Sequence, residues 1–344
     1  MQFEYDGKIN DIQLENAWAM IELSKSTSNG GIFMTGSRSI TKISKQTYRT
    51  IRRDWDLYLL LIPGLIWFIM FAYKPMLGLR TAFYQYNLFR GFEGSTFVGL
   101  ANFREFLQSP DFMRTMGNTL MIAFWQLAIC FPLPIVLAIS ITEMKNKFVS
   151  KLTQTATFLP YFISTVVVCG MVVNFLSPST GVINMVLGKI GVDPIYFMVK
   201  PQYFRGIYTS MTLWQTAGFN AIVYIAALMG IDPTLYEAAT VDGAGKWKKI
   251  VHVTIPGIVP TIVTMFVLNI GKIVKVGYEA ILLLYKPSTF PTADVIGTYT
   301  YRVGIEQGNY GLATAVGLFE ALLALVLVVL ANKLSHKLTE NSLW

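Results

Sequence analysis

Three observations predict an all-α, polytopic membrane protein with six transmembrane helices. The 344-residue chain is 53% hydrophobic and only 14% charged, against roughly 25% charged for an ordinary soluble domain. Several apolar stretches reach about 20 residues, the length a helix needs to cross a hydrocarbon core of roughly 30 Å. Lysines and arginines gather in alternate connecting segments, as they do in the cytoplasmic loops of membrane proteins. In lipid each backbone polar group must find its partner within its own segment, so helices are the expected spanning form.

Residues 1–55 are polar and mixed and read as a cytoplasmic N-terminal tail, partly disordered. The tail ends in Arg38, Lys42, Lys45, Arg49, Arg52 and Arg53, which places the N-terminus inside by the positive-inside rule. A cleavable signal peptide is not expected, because the first apolar run begins only after this tail. The six-span domain covers 56–333, and its first span is 57–76. Residues 77–117 are too polar to span, and "FVGLANFREFL" (97–107) reads as a short amphipathic element outside the membrane.

The second span is 118–141, where Pro132 and Pro134 predict a kink. A loop with Lys145, Lys147 and Lys151 (142–151) fits the inside. The third span is 155–176, with Pro160 near its start. An outer loop rich in Pro, Gly and Tyr (177–205) leads to the fourth span, 207–229. A polar island follows at 230–256, then the fifth span at 258–284 and the sixth at 312–331. Residues 334–344 form a cytoplasmic C-terminal tail.

The charge balance of +8 and the isoelectric point near 9.3 need no nucleic acid, because inside loops account for the excess of basic residues. Cys130 and Cys169 lie in apolar segments and read as small hydrophobes. His252 and His336 are far apart and make no metal-ligand pattern. No G-x-x-x-x-G-K-[ST] run is present, so ATP chemistry is not expected of this chain.

The island "GIDPTLYEAATVDGAGKWKK" interrupts two greasy runs with charge, alanine and glycine. Asp232 is a candidate N-cap and Pro233 suits the first helical position, where a missing N–H costs nothing. Leu235, Ala238, Ala239 and Asp242 fall on one face nearly free of bulk. Asp242-Gly243 predicts a turn, and 246–256 returns the chain to the membrane. A plain reconnection would take only a handful of residues. A helix, a glycine turn and a second helix suit a docking element for a cytoplasmic partner.

Glu237-Ala238-Ala239, Asp242-Gly243-Ala244 and Ile255-Pro256 resemble the EAA loop of binding-protein-dependent ABC importer permeases. "RRDWDLYLLLIPGLIWF", "FVGLANF", "GNTL" and "ADVIGTYTYRVG" extend the likeness to about residues 50–340 and resemble the carbohydrate-importer branch for complex or oligomeric sugars. The resemblance implies a bacterial cell-membrane subunit that pairs with a second, related permease. Two ATPase subunits carrying ATP and Mg, and an extracellular solute-binding protein, complete the implied assembly. The island would be the coupling helix between spans four and five. Glu237 would meet a basic group on an ATPase, while Ala238, Ala239 and Gly243 allow a close fit. No cofactor is implied for this chain, and it would not itself be an enzyme.

Candidates for the substrate pathway are Trp214, Gln215, Asn220 and Tyr224 in span four and Asn269 in span five. Aromatic faces and amide groups suit sugar rings and hydroxyls, although helix packing or interfacial anchoring also explains them. Lys272, Lys275 and Glu279 lie inside the fifth apolar run, where each charge costs at least about 2.5–3.5 kcal/mol at mid-membrane. Lys275 and Glu279 at i, i+4 would pair. Lys272 then needs an anion, such as an acidic sugar, an acidic residue of the partner permease, or water. An ion-coupled secondary transporter would explain the spans and lysines but leaves the island without a purpose. A membrane-embedded enzyme would need clustered Asp, His or Cys, and none is visible.

Overall fold

The structure is a computed structural model that describes residues 53–275 and 277–339. Most of the predicted N-terminal tail, including its basic cluster up to Arg52, and residues 340–344 lie outside the described residues. Five helical stretches are long and apolar enough to cross a membrane: Trp55–Phe83, Pro110–Thr142, Pro201–Met229, Lys246–Lys272 and Tyr310–Ser335. A bent pair, Lys147–Phe162 with Thr165–Phe175, completes a sixth if it counts as one span.

Two units divide the chain after Ile69. In the first, α1 (Trp55–Phe68) contains Pro63 and buries none of its residues within the chain. Arg53 and Asp54 pair at 2.8 Å just ahead of it.

The second unit is helical as expected, with one small antiparallel hairpin, β1 (Tyr84–Asn87) with β2 (Gly91–Phe97), among the described residues. The Asn87 side chain accepts the N–H groups of Phe89 and Arg90, and Gly91 takes a φ of +60°, which glycine tolerates best. The hairpin leads into α2 (Ala101–Gln108), the amphipathic element read from the sequence. Its Asn102 donates to the carbonyls of Ala82 and Tyr84 and so binds α2 to the base of the hairpin.

Span two is α3 (Pro110–Trp125) and α4 (Pro132–Thr142), joined by a π-helical turn over Gln126–Cys130. Pro132 and Pro134 lack the N–H groups that carbonyls 128 and 130 would accept, so the ladder slips by one residue. Phe131 N–H donates five residues back to Gln126 at 3.1 Å. The predicted kink is a local widening of the helix.

Span three departs further from expectation. In place of one straight helix, α5 (Lys147–Phe158) and α6 (Thr165–Phe175) meet at 100°. Pro160 sits in a 3₁₀ turn, and Ser164 takes an extended conformation to cap α6 through the Val167 N–H. Gln215, a residue singled out for the substrate pathway, donates to the Ile163 carbonyl at 2.9 Å at this break. The predicted outer loop contains α7 (Val182–Lys189). Asn184 holds the loop by donating to the carbonyls of Leu176, Ser177 and Ile195 and accepting from the Ile195 N–H.

Span four, α8 (Pro201–Met229), is the central element. It packs on α4 through Ala221, Tyr224 and Leu228 against Ala138 and Ile141. It also crosses α5 closely, because a Cβ on Gly218 would lie 2.1 Å from the Thr157 carbonyl oxygen. The island contains α9 (Pro233–Val241) and α10 (Lys246–Lys249), and α11 (Ile255–Ile273) carries span five. The predicted span to 284 is not continuous: helical structure stops after Ile273 and resumes at Tyr278 in α12 (Tyr278–Leu284). Lys275 and Glu279 are therefore not on successive turns of one helix, and among the described residues they form no ion pair with each other.

Beyond α12 lie α13 (Phe290–Ala293) and α14 (Ile296–Tyr301), and span six is α15 (Tyr310–Thr339). A polar network fastens the 286–306 segment to spans two and four. Asp294, fully buried, accepts from Arg302 at 2.8 and 3.1 Å, from Arg114 at 2.8 Å and from Thr298 at 2.8 Å. Asn118 donates to the carbonyls of Phe290 and Asp294 and accepts from Arg205. Burial alone would raise the Asp294 carboxyl, but the hydrogen bonds from Arg302 and Arg114 outweigh it and hold the group below the ordinary carboxylate range.

Candidate functional site: an exposed docking helix and a mid-span cleft

The docking helix is built as its residues demand. Asp232 Oδ1 accepts the Thr234 N–H at 2.9 Å, and Pro233 occupies the first turn. That backbone bond holds the Asp232 carboxyl below its usual range. At the other end, Ala244 N–H donates to Ala239 O at 2.9 Å and Gly243 N–H to Thr240 O at 3.0 Å. This is the pair of bonds that closes a Schellman motif, with Gly243 at the left-handed position, φ +73°. A Cβ on Gly243 would meet nothing within 4 Å, so only backbone conformation reserves the site for glycine.

No residue of α9 is buried. Glu237, Ala238 and Asp242 are exposed, Ala239 and Ala244 are half-buried, and Val241 is 88% and Trp247 79% exposed. Three contacts set the angle of the helix against its own chain. Tyr236 Oη meets Thr254 Oγ1 at 3.1 Å, and Lys249 donates to Thr240 Oγ1 at 2.7 Å. Gly257 lets Ile231 pack against the start of α11, where a Cβ would come within 2.8 Å of Ile231. Lys246 pairs with Glu143 at 3.4 Å, which ties the island to the end of span two. The two segments predicted as cytoplasmic loops therefore share one end of the molecule. Small, unburied, rigidly capped and flanked by bare Val241 and Trp247, the element suits insertion into a partner's cleft.

A second feature lies midway along α8. A cleft of about 300 Å³ is lined by Asn220, Tyr224, Asn269 and Lys272, four of the residues singled out in the sequence. Trp214 is not among them; it borders a separate groove nearer the start of α8. Lys275 and Glu279 also lie outside the cleft.

The cleft adds residues that sequence reasoning passed over: Gln126 and Phe131 at the π-helical turn, Tyr161 at the break in span three, and Phe219. Tyr161 and Phe219 stack at 3.9 Å, nearly parallel. The two proline-driven distortions thus both border the cleft, and π-turns recur at functional sites. Tyr224 is 2% exposed and takes part in the core between α4, α8 and α11 as well as bordering the cleft. Asn269 donates to its own helix at the Met265 carbonyl, 2.8 Å, which leaves its oxygen for another partner. Lys272 is exposed and makes no ion pair among the described residues.

The charge near Lys275 is Glu320, on α15. Glu320 stands alone as a charge within the sixth apolar run, and that isolation was the signal available in the sequence. Among the described residues no group of three or more His, Cys, Asp or Glu is placed to hold a metal ion.

Residues 131–340 match the family of binding-protein-dependent transport system inner membrane components. The chain is 37% identical over 307 residues to the polygalacturonan/rhamnogalacturonan transport system permease protein YteP of Bacillus subtilis (strain 168). That match covers 89% of this chain and 93% of the relative. Protein LplB of the same organism is 36% identical over 294 residues, covering 86% and 92%. A crystal structure of a bacterial ABC transporter involved in the import of the acidic polysaccharide alginate contains a chain 48% identical, with a TM-score of 0.79, covering 86% of this chain and all of that one. The alginate transporter in complex with an alginate pentasaccharide-bound periplasmic protein gives 47% identity and a TM-score of 0.80, covering 87% and 100%.

Proposed function

Because the chain belongs to the family of binding-protein-dependent transport system inner membrane components, we propose that it is a multi-pass permease subunit of an ABC importer for an acidic oligosaccharide. Residues 56–333 are the permease domain, with both termini in the cytoplasm of a bacterial cell. A second, related permease forms the other half of the pathway. Two ATPase subunits hydrolyse ATP, and an extracellular binding protein delivers the sugar.

The observation that carries this reading is the capped helix α9, none of whose residues is buried, with its Gly243 turn. Glu237 offers a carboxylate to a basic group, and Ala238, Ala239, Asp242, Gly243 and Ala244 present a surface without bulk for close approach. When the ATPases close, the island moves with them, and its bonds to Thr254 and to Glu143 carry that movement into spans five and two. The cleft receives the cargo. Lys272 meets a carboxylate of the sugar, Asn220 and the free oxygen of Asn269 meet hydroxyls, and the Tyr161–Phe219 stack offers an apolar wall to ring C–H groups. About 300 Å³ is at the lower end for a small-molecule site, so the cleft grips part of a sugar chain at a time. That suits a substrate threaded through, not swallowed whole. The polygalacturonan and alginate named for its relatives are both uronic acid polymers, in keeping with a lysine in the cleft.

The test is the complete complex in proteoliposomes with its binding protein, offered uronate oligosaccharides and neutral oligosaccharides of equal length. Uronate-stimulated ATP hydrolysis and uptake are expected. Stimulation by the neutral sugars alone would overturn the acidic assignment. Stimulation by neither, in a complex that hydrolyses ATP, would overturn the sugar-importer reading.

A further inference from the structure

A groove of about 720 Å³ runs beside α8, away from the Lys272 cleft. One wall is the apolar face of α6, where Val168, Met171, Val172 and Phe175 recur at helical spacing. The opposite wall follows α8 from Gln202 to Trp214. Twelve helical steps give a length of about 18 Å, close to half of a hydrocarbon core of roughly 30 Å. The groove is therefore as long as one leaflet is deep, and it starts at the end of a spanning helix.

Its single charged lining residue is Arg205. Nη2 donates to Asn118 Oδ1 at 2.9 Å, while the buried Nε has no hydrogen-bond partner. No carboxylate pairs with this guanidinium among the described residues. Beside the mouth lies α7, whose Val182, Met185 and Val186 are 49%, 52% and 55% exposed, followed directly by Ile190 at 71%. A short helix with a bare apolar face belongs at the membrane interface.

We propose that this groove is a site for one anionic phospholipid of the leaflet at the N-terminal end of α8. An acyl chain lies between α6 and α8, and the phosphate meets Arg205. The groove is too apolar for a sugar chain, and an acyl chain matches its length. The unpaired guanidinium calls for an anion, which the phosphate supplies in a charge-assisted bond. This inference concerns the lipid alone and stands whichever sugar the complex carries.

The experiment is native mass spectrometry of the full complex, released from nanodiscs of phosphatidylglycerol or phosphatidylcholine. The wild type is expected to retain one phosphatidylglycerol per copy of this chain, preferred by about fivefold, as one arginine near the headgroups implies. Arg205→Gln should abolish the preference. Gly206→Leu is the independent arm: it lies in the groove, its Cβ would meet nothing within 4 Å, and leucine favours a helix more than glycine does. It should leave the complex assembled and empty the groove of both lipids. Equal lipid retention by wild type and Gly206→Leu would overturn the proposal. So would a disulfide, formed under copper-phenanthroline oxidation, between Ser210→Cys and a cysteine introduced in the second permease, which would make the groove a subunit interface.

Discussion

Lys272 stands in the last turn of α11, on the wall of the cleft and in no ion pair among the described residues. Lys275, one turn on in sequence, lies past the end of that helix and feels the charge of Glu320. The two lysines should therefore fail in different ways. Lys272→Met should raise the KM for uronate oligosaccharide uptake by about 10- to 100-fold, the worth of one charged hydrogen bond, with the complex intact. Unchanged uptake would remove Lys272 from the pathway. Lys275→Met should instead lower thermal stability, because it strips the neighbouring charge from a carboxylate within span six. The sequence marked both lysines as odd, yet it paired Lys275 with Glu279, because nothing in the apolar run announces the break after Ile273. Gly218 was equally silent. Its importance comes from the Thr157 carbonyl, a contact across more than fifty residues of sequence. A Cβ at 2.1 Å cannot be accommodated without parting the two helices, so Gly218→Ala should cost about 1–3 kcal/mol. An unaltered thermal midpoint for the purified complex would contradict the crossing described.

Among elements, the docking helix was the most legible. Its N-cap, its first-turn proline and its closing glycine are local signals, and each acts where local chemistry places it. Gly243→Val should uncouple the complex, because a β-branched residue resists φ +73° and forces the Schellman turn open. Assembly should persist, since nothing within the chain crowds the position. Measured in reconstituted complexes, substrate stimulation of ATP hydrolysis should fall while basal hydrolysis remains. Retained stimulation would separate this turn from coupling.

The polar network at the opposite end of the spans was not legible, because Arg114, Asn118, Arg205, Asp294 and Arg302 come from three distant stretches. Asp294 is held below the ordinary carboxylate range. Its contribution is therefore complete above the unfolded value of about 4 and is lost as pH falls through the lower folded value. Thermal stability of Asp294→Asn should be well below wild type at neutral pH, and the gap should narrow below pH of about 4. A constant gap down to the lowest accessible pH would place the stabilising charge elsewhere.

At the scale of the molecule, periodicity and hydropathy found the long apolar helices, because the bilayer imposes length on each, but they carried span five past its end at Ile273. They were blind to the right-angle break in span three and to the hairpin before α2, where proline, capping and side-chain hydrogen bonds override hydropathy. The proposed orientation rests on the basic loops. Cysteines at Thr96 and Ser288 should react with an impermeant maleimide in intact cells, and one at Lys248 should react only after permeabilisation. Labelling of Lys248→Cys in intact cells would invert the topology.

The interruption after Ile273 also has a mechanical meaning. The stretch Lys246–Lys272 is 27 residues long, a rod of about 40 Å. One end is joined to the docking helix, and the other ends at an articulation beside the cleft. A rod of that length pushed sideways by about 3 Å at its near end turns through only about 4°. With the break next to Lys272 as the pivot, most of such a movement would fall at the docking-helix end, and the residues lining the cleft would be reoriented more than displaced.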